Sequence, residues 1–265
     1  FVLRRSNHKY AATFLGITPI RNHKIKGKRD FALYSFINAS WHGCLYCRVV
    51  AIMMHVLDHT HWFPDPATAD HNGVVALGGD LSPQRILLGY RKGIFPWFSQ
   101  GEPILWWSPN PRMVLFPKEF KLSKSLKKTL RTSPYKVTFN TAFEHVIDAC
   151  AQVQRDGQKG TWISQQMKQS YLELHRQNSA MSIEVWDNDI LVGGLYGIDL
   201  PGNKLFSGES MFSKKTDTSK IAFAHLVAWC ITQNYTLIDC QVYTSHLESL
   251  GAREIDRALF LSYLC

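Results

Sequence analysis

The sequence has no glycine-rich phosphate loop, no GxGxxG turn, and neither an HExxH nor a GxSxG motif. The usual signatures of nucleotide-driven phosphoryl transfer, dinucleotide chemistry, zinc proteolysis and serine-elbow hydrolysis are therefore missing. The isolated pairs Gly78-Gly79 and Gly193-Gly194 read as turns and tight packing. Six cysteines, at 44, 47, 150, 230, 240 and 265, lack the dense spacing of a stapled secreted domain and fit a reducing, cytoplasmic setting. Cys44 and Cys47 form a CxxC, but no second pair follows at metal-ligand spacing, so neither a metal nor a cofactor is expected. No internal repeat or low-complexity tract is visible.

Acidic residues are scarce only at the start. Residues 1–52 hold nine basic and one acidic residue, whereas residues 53–265 hold 21 basic and 20 acidic. The net charge of +9 is thus a property of the leading segment, and any claim of RNA binding must rest on a local cluster. Residues 31–54 are more apolar but are interrupted by Asn38, Ser40, His42 and Arg48, too polar for an anchor, so no membrane association is expected. Residues 1–52 are expected to be an extraneous or disordered basic leader, with translation starting at Met53 or Met54.

From residue 63 onward the chain has the composition of a folded protein. Ser82 and Pro83 predict a helix through Tyr90, which Gly93 breaks. An apolar strand is expected at 113–116. Further on, the periodicity predicts strands near 135–139, 181–186, 190–198, 204–212 and 236–242, with helices near 141–153, 161–177 and 219–233. Helices mixed with a mostly antiparallel run of strands indicate an α/β (α+β) sheet with helices packed on its faces.

Two strands spend positions on polar groups. In Leu237-Ile238-Asp239-Cys240-Gln241-Val242 the two-residue period puts Asp239 and Gln241 on one face and Ile238, Cys240 and Val242 on the other. In 205–212, Glu209 shares a face with Ser207 and Met211, and Gly208 permits close approach. A carboxylate tying down a strand end and a carboxylate with a chemical task both fit such a pattern. Lys124, Lys127, Lys128 and Arg131 stand at i, i+3, i+4 and i+7, one helical face that is either simply solvated or a phosphate contact.

Several strings then match a known family in order: LGGDLSP at 77–83, GIFPWF at 93–98, ILWWSPNPR at 104–112, TWI at 161–163, SIEVW at 182–186, LVGGLYG at 191–197, FSGESMFS at 206–213, LIDCQ at 237–241 and HLESLGA at 246–252. The sequence resembles the bacterial leucyl/phenylalanyl-tRNA protein transferases over residues 63–262. Asn110 and Met181 depart from the pattern, which has Asp and His there. The resemblance implies a small N-terminal domain, over 53–117, and a catalytic domain similar to the GCN5-related acetyltransferases, over 118–265, with a mixed sheet flanked by helices.

It also implies an aminoacyltransferase that moves Leu, Phe or Met from aminoacyl-tRNA to the N-terminal Arg or Lys of acceptor proteins, feeding the N-degron route of proteolysis, without metal or cofactor and as a monomer. Asp239 and Gln241 are then the catalytic pair, Asp239 holding the attacking amine directly or through Gln241. Glu209 with Gly208 lies beside them, facing the cationic acceptor. Trp97, Trp162 and Phe206 are carried over to the pocket for the aminoacyl group and terminal adenosine, and Lys124, Lys127, Lys128 and Arg131 would meet tRNA phosphates. Trp106 and Trp107 read as core packing. Two alternatives stay open on the residues alone: an acyl-CoA-dependent N-acyltransferase, although 213–219 contains no glycine for a pyrophosphate turn, and a non-catalytic tRNA-binding module.

Overall fold

The computed structural model describes residues 55–99, 101–153 and 163–265. The leader 1–52, the candidate start sites Met53 and Met54, the Cys44/Cys47 pair and Trp162 lie outside the described residues. Val56–Cys265 belong to one compact unit.

Local chemistry sets the element boundaries. The first helix, α1 (Pro83–Arg91), starts where the Ser82 hydroxyl accepts from the Arg85 amide and Pro83 occupies the first turn. It stops at Gly93, whose φ of +73° suits glycine alone among common residues. Helix α2 (Lys124–Thr132) is capped the same way by Ser123, and α4 (Gln165–Arg176) by Ser164. The remaining longer helices are α3 (Phe143–Ala151) and α5 (Thr218–Thr232), each within two residues of the sequence expectation. Two short helices, α6 (Ser245–Ser249) and α7 (Arg257–Ser262), end the chain. Among the described residues, no helix is long and apolar enough to cross a membrane.

The strands form two sheets. Strands β1 (His55–Leu57), β2 (Val74–Gly78), β3 (Phe95–Pro96) and β4 (Leu105–Trp107) build a small sheet in the order β1-β2-β4-β3. Trp106 anchors it, fully buried, with its indole N–H donating to the Gly78 carbonyl and Phe63 edge-on at 4.7 Å. The larger sheet contains β5 (Arg112–Leu115), β6 (Lys136–Phe139), β7 (Ala180–Asp187), β8 (Ile190–Leu200), β9 (Leu205–Ser213), β10 (Leu237–Gln241) and β11 (Arg253–Ile255). Their order is β11-β5-β10-β9-β8-β7-β6. All neighbours are antiparallel except β9 and β10, which run parallel because the chain crosses between them through α5. Strand β5 precedes residue 117, where the domain boundary is expected, yet it is already an interior strand of this sheet.

Helices cover both faces, giving the mixed sheet flanked by helices that the pattern implies. Phe143, Val146 and Ile147 of α3 and Met167, Tyr171 and Leu174 of α4 pack with Val114, Ile198, Leu205 and Leu237 on one face. On the other, Ile221, Phe223, Leu226 and Val227 of α5 and Leu126 of α2 pack with Met113, Ile183, Phe206 and Ile238. Each such side chain, fully buried, contributes roughly 1.5–3 kcal/mol. The two-residue alternation thus holds along β10 from Leu237 to Cys240 as read from sequence.

It fails along β9. Tyr196 pairs with Ser210 while its neighbour Gly197 pairs with Gly208, which leaves Glu209 as the extra residue of a β-bulge. The alternation changes phase there: Met211 joins the α5 face, not the face of Ser207 and Glu209. A second bulge sits on β10, where Asp239 pairs with Val114 and Gln241 with Met113, so Cys240 is unpaired. Gly197 lets the strands close up around the first bulge, since a Cβ there would lie 2.2 Å from the Ser207 carbonyl and 2.5 Å from the Phe206 ring. Gly197→Ala should therefore cost about 3 kcal/mol of stability, at the upper end of overpacking effects. Denaturant midpoints of the two proteins test this, and an unchanged midpoint would refute the packing argument.

Candidate active site

Both bulges lie beside the point where β9 and β10 stop pairing, after Asp239–Ser207. At that point the polar residues of the two strands meet. The Asp239 carboxylate is only 1% exposed and accepts four hydrogen bonds. Oδ1 takes the Arg112 Nε–H at 2.8 Å and the Gln241 amide at 2.9 Å; Oδ2 takes the Arg112 Nη2–H at 2.7 Å and the Ser207 hydroxyl at 2.9 Å. A carboxylate has about four acceptor directions, and all are used. Of the two routes open to Asp239, direct contact with an amine and action through Gln241, only the second leaves this arrangement intact.

Gln241 is held in an unusual conformation. Its φ is +65°, left-handed backbone that a residue with a Cβ adopts at a cost. The bulge at Cys240 and the bond from its own amide to Asp239 fix it there. Its side chain is partly exposed and donates from Nε2 to Oε1 of Glu209 at 2.9 Å.

Glu209 is buried, and its second oxygen accepts from the Tyr171 hydroxyl at 2.8 Å. Tyr171, on α4, is 2.9 Å from the hydroxyl of Tyr90 on α1. Burial pushes the Glu209 carboxyl up to about 7, although the tyrosine hydroxyls favour its charged form. Both phenols are driven well above their ordinary value, first by burial and then by the Glu209 charge, so they serve as hydrogen-bond donors rather than bases. The site therefore holds one fully satisfied carboxylate and one that titrates near neutrality.

The other sequence candidates fall into two groups. Gly208 is buried in the bulge and faces Gly197 across the strands. Trp97 is half-buried, its ring 5.3 Å from that of Trp107, whose indole N–H donates to the Trp97 carbonyl. Its segment touches the Asp239 centre, since Arg112 Nη1 donates to the Gly93 carbonyl at 3.2 Å. Phe206, by contrast, is fully buried on the opposite sheet face, packed with Ile238 and the α5 side chains. Lys124, Lys127, Lys128 and Arg131 are all exposed on α2, which packs with α5 on that same opposite face. None of the four enters an ion pair among those found in the described residues. No group of three or more His, Cys, Asp or Glu side chains gathers as a metal-ligand set among the described residues.

Sequence reasoning missed Arg112, Ser207, Tyr171 and Tyr90. Arg112 carried a readable signal, an arginine opening an apolar strand, which needs a buried partner. The tyrosines carried none, since Tyr90 and Tyr171 are 81 residues apart and both sit on ordinary amphipathic helices.

The raised Glu209 value fixes a sign. A carboxyl that holds its proton more tightly folded than unfolded contributes stability that is full below about 4.5 and is lost as pH rises through about 7. Glu209→Gln should remove this loss, so that at pH 8 the variant gains about 3 kcal/mol relative to its standing at pH 4.5. Unfolding free energies measured from pH 5 to 8 for both proteins test it; parallel curves would refute the burial of an ionising group at 209.

The family model for leucyl/phenylalanyl-tRNA protein transferase matches residues 114–265, and the model for the N-terminal domain of the same transferase matches residues 79–110. A transferase of that name from Flavobacterium johnsoniae is 56% identical over 211 residues, which span 80% of this chain and 99% of the relative. Another from Christiangramia forsetii is 52% identical, spanning 80% of this chain and all of the relative. Among solved structures, a GCN5-related N-acetyltransferase from Kribbella flavida overlaps loosely, with 8% identity, a TM-score of 0.31, and coverage of 63% of this chain and 58% of that one. A match of this extent to named aminoacyltransferases sets aside the acyl-CoA and non-catalytic alternatives. These two relatives are matched from end to end or nearly so, and the family models cover most of the described residues: the chain belongs to the leucyl/phenylalanyl-tRNA protein transferase family and is an aminoacyltransferase.

Proposed function

We propose that this enzyme transfers Leu, Phe or Met from aminoacyl-tRNA to the N-terminal Arg or Lys of acceptor proteins in the cytoplasm, committing them to N-degron proteolysis. Gln241 and Glu209 are the groups that meet the reacting amine. The observation that carries this reading is the Gln241–Glu209 hydrogen bond at the end of β9/β10 pairing, where Gln241 is partly exposed and Glu209 is poised to ionise.

The chemistry needs no external energy source. The amine nitrogen attacks the ester carbonyl, the amide bond forms, the ester bond breaks, and the tRNA terminal hydroxyl leaves with the proton the amine gives up. An N-terminal amine has a reference pKa of about 7.7–8.0, so much of it is already neutral at pH 7 to 8. The protein's work is then to hold amine and carbonyl together and to stabilise charge that develops on the nitrogen. The Gln241 side-chain oxygen is free to accept from the amine while its Nε2 stays on Glu209. Asp239 does not touch the substrate in this reading; it holds Gln241 in place.

Trp97 offers an aromatic surface on the same side for the terminal adenosine, with Trp162 assigned to that pocket by resemblance. An apolar pocket discriminates by only about 1–3 kcal/mol per methylene, which suits joint acceptance of Leu, Phe and Met. Because the α2 cations lie on the far face of the sheet, a ligand that meets them and Gln241 together must reach round its edge. That suits a molecule as large as tRNA, gripped by its phosphates without sequence readout.

Transfer of radiolabelled Phe from Phe-tRNA to an Arg-initiated peptide is the direct assay. Gln241→Ala should lower kcat by about 10²-fold, the usual effect of losing one oriented polar group. Glu209 adds a specificity signature: preference for an Arg-initiated over a norleucine-initiated peptide should grow as pH rises through about 7, the amine's own titration cancelling in the ratio. A ratio flat with pH would remove Glu209 from acceptor recognition. For the donor, Lys127→Ala with Lys128→Ala should reduce the slope of log Kd for tRNA against log salt by about 1 to 2, at roughly 0.9 for each phosphate no longer neutralised. An unchanged slope would free α2 from that role.

A further inference from the structure

The Asp239 carboxylate is held by one cation, and that cation does more than neutralise it. Arg112 is 1% exposed and uses each part of its guanidinium differently. Nε and Nη2 form a two-pronged bond to Asp239, Nη1 donates to the Gly93 carbonyl, and the central carbon lies over two aromatic rings, Phe95 at 4.8 Å and Phe260 at 4.4 Å. Only a planar, delocalised cation can do all three at once, which lysine cannot.

The consequences run in two directions. Towards β10, the Oδ1 that takes the Arg112 Nε–H also takes the Gln241 amide, so the fork sets the carboxylate plane that holds Gln241 at its φ of +65°. From there the Gln241 side chain reaches Glu209. Towards the small sheet, Gly93 and Phe95 precede Trp97 in the same short segment, so the same guanidinium fixes that tryptophan's backbone. Phe260 comes from α7, whose start is tied back to the connection between β4 and β5 by the bonds from the Arg257 amide to Asn110 and from Arg257 Nη1 to the Ser108 carbonyl.

We propose that Arg112, clamped by Phe95 and Phe260, is a positioning residue for the transfer reaction: it aims Gln241 through Asp239 and registers the Trp97 segment against it. This rests on the reading that Gln241 and Trp97 handle the two substrates. Arg112 touches neither substrate; its contribution is the relative placement of two groups on different sheets, to which a rate is sensitive at the scale of an ångström.

The test uses the full chain, Phe-tRNA as donor and an Arg-initiated peptide as acceptor. Arg112→Lys keeps the charge and loses the fork and the stacking. Phe260→Leu keeps the ion pair intact and removes one of the two rings. Arg112→Lys should lower kcat by about 10²-fold and Phe260→Leu by about 3- to 10-fold, with smaller changes in KM.

A second readout separates aim from mere stability. Glu209 faces Tyr171, Tyr90, Gln241 and Asp239; once Gln241 is misplaced, its charged form loses a donor. The pH at which the preference for an Arg-initiated over a norleucine-initiated peptide is half-developed should therefore move up in both variants, measured on protein verified as folded by circular dichroism. Folded variants with the wild-type kcat and the wild-type pH midpoint would overturn the proposal, leaving Arg112 a purely structural ion. If Arg112→Lys does not fold, Phe260→Leu decides by the same two readouts. A wild-type chain that transfers nothing to the peptide would instead sink the reading of Gln241 beneath it, which keeps the two failures distinct.

Discussion

The structure turns on a buried ion pair placed where the parallel pairing of β9 and β10 gives out. Arg112 and Asp239 are both removed from water, an arrangement that is costly unless every donor and acceptor is used. Here the carboxylate is saturated, and the guanidinium is forked, bonded to a carbonyl and set against the rings of Phe95 and Phe260. The pair brings together the edge of the small sheet, the middle of the large one and the last helix. Around it two strands carry an extra residue each, and those bulges turn Glu209 and Gln241 towards one another. The geometry of the candidate site is thus a local departure from regular sheet, held in place by electrostatics that regular sheet does not require.

Two carboxylates in one site behave oppositely because their partners differ. Asp239 meets a permanent cation; Glu209, 4% exposed, is met by the neutral donors Tyr171 and Gln241, and burial leaves its charge near balance at physiological pH. The acid on the arginine keeps a fixed charge partner, while the acid bonded to Tyr171 and Gln241 changes its charge near neutral pH. That change comes at the expense of stability above neutral pH, as is common in enzyme sites.

Much of this is legible in the sequence. The helix capped by Ser82 and the strands and longer helices between residues 113 and 242 follow from apolar periodicity, while the short elements at 95–96, 105–107 and beyond 244 do not. The alternation along β10 correctly puts Asp239 and Gln241 on one face. What stays hidden needs long-range contact or a break in period. The bulge at Glu209 reverses the alternation without any local marker, so the two-residue period puts Met211 on the wrong face. The saturation of Asp239 depends on an arginine 127 positions earlier, and the tyrosine chain joins α1 to α4 through hydroxyls that either helix could have left in solvent. Phe206 illustrates a further limit: adjacency in a motif says nothing about which side of a sheet a ring occupies.

The place of β5 in the large sheet has an implication for how this chain can be divided. Residues 112–115 lie between β11 and β10, although everything else in that sheet comes from residue 136 onward. A cut drawn at the turn after Phe116 would strip the neighbour from β10, leave a raw strand edge in the middle of the sheet, and abandon a carboxylate in the interior with its counter-ion on another molecule. The two halves that the motifs suggest are therefore not modules that could be shuffled or expressed apart, and recombination between relatives would have to fall before the proline-rich turn at 109–111 to yield a working pair.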